Sequence, residues 1–152
     1  MSYETDFVQW TRDQAALLRA LDPSPTGLDA DNLAEEIEAL GRIEISNMSR
    51  HLYQLLNNLL LLAAGAPEQN RWIRDAYSAH TDVALASSPS LEHHLDLART
   101  YKLARRGAVD MLVELKIEVP DFPADCPLTV AQLVDEDFDF PGAIKLLERG
   151  NG

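Results

Sequence analysis

A chain of 152 residues with 25 acidic and 13 basic side chains carries a formal net charge of −12. That length fits one compact domain with a real core, and that charge works against unspecific attraction to nucleic-acid phosphates or to an anionic membrane surface. The single cysteine, Cys126, excludes a disulfide within the chain and fits a reducing, cytoplasmic setting; beside Asp125 and Pro127 it has no activating cation, so an inert thiol is expected. The start MSYETDF lacks the basic and apolar regions of a secretion signal, and the apolar run LLLLAA at residues 59–64 is too short to span a bilayer.

Asp6 is placed to cap a first helix, with Gln9 at the capping-box position and Phe7, Trp10, Gln14, Leu17, Leu18 and Leu21 at helical spacing. The stretch DPSPTG ends it. Asp29 opens a second helix between Leu28 and Leu33, which occupy the positions of a hydrophobic staple. No proline follows before Ala64, so residues 30–64 form either one rod or a pair kinked at Gly41. Within it Met48, Leu52, Leu55, Leu59 and Leu62 make a strong apolar seam, expected in the core or in an interface.

The triplet GAP at residues 65–67 ends the rod and starts helix three at Pro67, with Ile73, Ala76, His80 and Val83 facing inward. Ser88 and Pro89 repeat that start signal, and Leu91, Leu95, Ala98, Tyr101, Ala108, Leu112 and Leu115 predict one long fourth helix. VPDFPADCP reads as an extended strap, and Thr129 with Gln132 as a capping box that opens a short C-terminal helix. No alternating β-branched run competes. The expected fold is therefore all-α: a single helical domain over residues 1–152, a bundle of four main helices with a long second one.

Charge is unevenly placed. Residues 1–41 hold nine acids and two bases, residues 118–140 seven acids and no base, and residues 99–116 five bases and two acids. Matching of the basic stripe to the acidic ends, within one chain or between two, is a commoner use of such a stripe than nucleic-acid binding.

YETDFVQWTRDQAALLR, LDADNLAEEIEALGR, SPSL and PADCPLTVAQLVDEDF, in that order and spacing, give the chain its likeness: it resembles the bacterial family known as domain of unknown function 29, nearly end to end. The resemblance implies an all-helical fold and brings no activity or site residue with it. Members tend to carry a basic, Gln- and Arg-rich central helix, whereas this chain reads RWIRDAYSAHTDVA there.

The glutamates of DNLAEEIEALG are the most function-like feature. On a projection at about 100° per residue, Leu33, Ile37 and Leu40 define the buried stripe, Glu35 and Glu38 face away, and Glu36 falls at the edge. Arg42 is then expected to pair with Glu38 at i to i+4. Helical magnesium pyrophosphatases use EExxE and a later ExxD; this chain has EExE, and its ExxD matches, Glu118 to Asp121 and Glu136 to Asp139, fall outside regular helix.

A polar ladder of Glu44, Asn47, His51 and Asn58 continues that stripe, with His80 on the next helix. Glu36, Glu44, His51 and His80 are accordingly the candidate ligands for Mg²⁺ or another divalent metal, against the alternative of a polar seam that sets helix register. His93 and His94 are adjacent, point apart and chelate poorly together. Asp135, Asp137 and Asp139 mimic a calcium loop, but Phe140 stands where its glycine belongs and Leu146 where its glutamate belongs. Phe138 and Phe140 instead suggest an aromatic clasp.

No catalytic residue set and no cofactor site is legible. The leading expectation is a non-enzymatic helical interaction protein that acts through protein contacts, as a homodimer along the second helix; the alternative is a metal-dependent hydrolase of nucleotides or phosphoesters.

Overall fold

A computed structural model describes residues 2–22 and 27–148. These residues form seven helices and no strand: α1 (Phe7–Ala20), α2 (Ala30–Ala63), α3 (Gln69–Ala86), α4 (Pro89–His93), α5 (Leu97–Glu114), α6 (Val130–Val134) and α7 (Phe140–Glu148). Among them no helix is long and apolar enough to cross a membrane. The prolines of the expected DPSPTG break lie outside the described residues; α1 has already ended at Leu21, whose backbone is extended. The helices belong to two compact units, Met1–Met48 with Ser88–Leu95, and Ser49–Ser87 with Asp96–Gly152.

In the first unit one carboxylate starts two helices. Asp6 caps α1 by accepting the Gln9 backbone N–H at 3.0 Å, and its other oxygen accepts the Ser90 N–H of α4, also at 3.0 Å. Burial raises the carboxyl's pKa, but the two backbone donors outweigh it and hold the group below its ordinary range. Ser88 caps α4 in turn, with Pro89 in the first turn as expected.

The helix phase in this unit departs from the sequence expectation. Leu33 and Leu40, the predicted buried stripe, are 41% and 48% exposed, and Leu17 and Leu21 of the first helix are exposed as well. Ala34, Gly41 and Met48 are buried in α2, and Val8, Thr11 and Ala15 in α1. The helices meet through small residues: a Cβ on Gly41 would stand 2.5 Å from Thr11 Oγ1. Gly41 therefore permits a close approach and does not end the helix, and α2 is continuous for 34 residues.

The second unit is built on the leucine seam. Leu52, Leu55, Leu56, Leu59, Leu60 and Leu61 are fully buried, so the seam is core within one chain. α2 ends in a Schellman turn: Gly65 is left-handed at φ +70°, and the Gly65 and Ala66 N–H groups bond Leu62 and Leu61 carbonyls. Glu68 also has positive φ, so α3 starts at Gln69 and Pro67 lies outside it, its carbonyl accepting the Trp72 indole N–H at 2.8 Å. Trp72 consequently faces inward, and Ile73 is exposed.

The expected long fourth helix is two helices. Asp96 caps a new start by accepting the Arg99 N–H at 3.1 Å, which separates α4 from α5. The strap after α5 is non-helical, as expected, and is anchored by the buried Tyr101 hydroxyl, which donates to the Pro123 carbonyl at 2.6 Å. Burial pushes that phenol up to about 12. The capping box of Thr129 and Gln132 is complete. Phe138 stacks on His80, and Phe140 on Tyr77, which forms the expected clasp.

Candidate functional site

The polar ladder of α2 is placed as follows. Glu36, Glu44 and Asn47 are exposed in the first unit, so Glu36 is not at a packing edge. His51 and Asn58 belong to the second unit, where α3 runs beside them. His51 Nδ1 is buried without a hydrogen-bond partner and lies 3.7 Å from Asp82 Oδ2, too long for a direct bond. Asn58 donates to the Gln54 carbonyl at 2.8 Å, one turn back along its own helix. Gln54 and Asn58 line a cleft of about 310 Å³ whose other wall carries Asp75, Ser78 and Asp82 of α3. Its polar lining is two carboxylates, two amides and a hydroxyl, with no cationic side chain.

Asp75 and Asp82 were not singled out in sequence. Their signal was present, since they sit at i and i+7 beside the buried Ala76, Ala79 and Val83. His80, by contrast, is held in place: its Nε2–H donates to the Asp135 carbonyl at 2.9 Å, and its ring packs against Phe138 and Phe140. The hydrogen bond joins α3 to the turn after α6. Among the described residues, no three His, Cys, Asp or Glu side chains come together as a metal-binding group.

The glutamates of α2 are paired differently from the expectation. Arg42 bonds Glu35, not Glu38, at 3.3 Å. Glu38 is half-buried and accepts both guanidinium nitrogens of Arg19 from α1, and that hydrogen bonding holds its carboxyl below the ordinary range. The expected i to i+4 pair gives way because the small-residue crossing brings α1 and its arginine to Glu38. Burial pushes the Cys126 thiol up, in keeping with an inert cysteine. Among the described residues of the second unit, no cation of α5 forms an ion pair with the acidic segment 118–140.

The profile of the family described as "Domain of unknown function DUF29" matches residues 2–139. The chain belongs to this family. The DUF29 chain is also similar to a protein from Rhodospirillum rubrum whose crystal structure is described as an alpha-helical protein of unknown function. The two are 28% identical over 97% of this chain and 98% of that one, with a TM-score of 0.88. No curated protein matches it. The resemblance and the all-α fold read from the sequence are thus both found.

Proposed function

We propose that this DUF29 chain is a non-enzymatic helical interaction module that pairs with a second copy of itself along the outer face of the first half of α2. The observation that carries the reading is the exposure of Leu33, Leu40 and Ile43, at 41%, 48% and 53%, with half-buried Ile37 between them. Single exposed leucines are ordinary, but a row at four- and three-residue spacing on one helix is the pattern that pairs with another helix. The leucine seam of the second half is satisfied inside the chain and is not needed for the contact.

The polarity of the stripe selects a direction. Beyond Leu40 it continues into Glu44 and Asn47, both exposed. A parallel pair would set Glu44 against its own copy, and like charges in such a seam repel. An antiparallel pair centred near Ile37 and Leu40 overlaps the apolar halves and leaves Glu44 at the rim. Sedimentation velocity over a hundredfold concentration range tests the reading: a monomer–dimer equilibrium is expected, and a monomer at every concentration would end it.

A further inference from the structure

We propose that the cleft between α1 and α2 at Gly41 binds a small organic oxyanion, its charged group held between Arg12 and Arg42. The cleft has a volume of about 270 Å³ and is walled by Thr11 and Arg12 on α1 and by Glu38, Gly41 and Arg42 on α2. It lies within the first unit and uses none of the residues of the self-association stripe, so the two readings fail separately.

Charge is the first argument. Arg12, Arg19 and Arg42 all act on Glu38, and only Arg19 is bonded to it. Arg42 has one ion-pair partner, the exposed Glu35 at 3.3 Å, and an exposed pair of that kind is weak and readily exchanged. Arg12 forms no ion pair among the described residues. The wall of the cleft thus carries two guanidiniums against one carboxylate, in a chain where acids outnumber bases 25 to 13. The same surplus reaches α4, where burial first and the charge of Arg12 next hold His94 toward its neutral form.

Shape is the second. The glycine leaves the floor of the cleft as bare backbone beside Thr11, and Val8 and Ile45 add apolar wall. Two guanidiniums present planar, fork-shaped donors suited to phosphate or carboxylate oxygens, and the apolar residues can cover a short carbon body. The chemistry shared by the candidate ligands is a phosphate or carboxylate group on a small molecule. Glu38 does not oppose it, because Arg19 already neutralises that carboxylate.

Calorimetric titration of the full chain at low salt, with inorganic phosphate and separately with succinate, tests the assignment. One saturable site is expected for at least one of the two probes, and the probe that binds identifies the group as phosphoryl or carboxylate. Arg12→Gln and Arg42→Gln should each weaken it by about tenfold or more, while Arg99→Gln, on the exposed face of α5, leaves it unchanged. Both cleft arginines are exposed, so these variants should melt as the parent does. Dissociation constants above about 10 mM for both probes, or equal losses in all three variants, would overturn the site.

Discussion

The two halves of α2 carry the same heptad of buried positions, yet they are packed on different plans. In the second half those positions are Leu55 and Leu62, with Leu52 and Leu59 beside them, and bulk fills the interior. In the first half they are Ala34 and Gly41, and the leucines one residue earlier point outward. Residue size along one seam therefore decides what each half does. Large side chains bury apolar area, while small ones let α1 approach closely and release Leu33 and Leu40 to the surface. Stability should come mainly from the second half, and contact with other molecules from the first.

The largest effect that follows is in the leucine core. Leu59→Ala should cost about 2–5 kcal/mol of unfolding free energy, whereas Leu40→Ala, at a half-exposed position, should cost less than about 1 kcal/mol. Urea denaturation of the two variants measures the difference. Equal losses would mean that the halves are not packed differently after all.

A smaller effect is expected where the first unit relies on hydrogen bonds. Asp6→Ala removes the acceptor of two backbone N–H groups, one buried and one partly so, and should cost about 2 kcal/mol. The sign with pH follows from the lowered carboxyl. Its folded pKa lies below the unfolded value of about 3.9, so its contribution is complete above that value and lost as pH falls through the folded one. The stability gap between the parent and Asp6→Asn should accordingly narrow between pH 6 and pH 3. A gap that is flat across that range, in thermal melts, would show that the shift has no energetic weight.

Gly41→Ala sets two opposing terms against each other. Alanine gains about 1 kcal/mol in helix propensity, and its methyl group, 2.5 Å from Thr11 Oγ1, costs about 1–3 kcal/mol of overpacking. A net loss of about 1 kcal/mol is expected. The diagnostic is the double variant: with Thr11→Ala present the clash disappears, and Gly41→Ala should become neutral or stabilising. An additive pair would place the two helices further apart than described.

This contrast also explains what was legible in the chain. The all-α class, the leucine core, the capping by Asp6, Asp29 and Thr129, and the aromatic clasp could be read because each rests on local chemistry or on large apolar residues. The phase of the first half was misread because apolar periodicity follows leucines, and a close crossing hides its buried face in alanine, glycine and threonine. Stepping back by sevens from Leu62 and Leu55 leads to Met48, Gly41 and Ala34, so the signal was in the sequence. The break before α5 was hidden for a related reason, since Leu91, Leu95 and Ala98 keep helical spacing across it while the Asp96 side chain interrupts the backbone. The cleft beside α3 needed Asp75 and Asp82, which flank an inward face legible at Ala76, His80 and Val83 but not at its start, where Trp72 is buried in place of Ile73.

The smallest effect on stability should come with a large effect on association. Replacing Leu33, Leu40 and Ile43 together with serine removes apolar area that already meets water in the single chain, so little burial is lost on unfolding. Surface changes of this kind shift stability by about 0.5 kcal/mol each, and serine's weaker helix propensity sets a similar scale. In the pair proposed above, however, those same side chains form most of the apolar overlap, and without them only Ile37 remains. The triple variant should therefore melt near the parent at low concentration, lose the concentration dependence of its melting temperature, and sediment as a monomer throughout. Matched replacement of Tyr77, Leu85 and Val113, exposed apolar residues of the second unit, should leave association intact. If that second set dissolved the dimer and the first did not, the contact surface would belong to the other half of the comparison, and the outward leucines of α2 would be ordinary solvated residues.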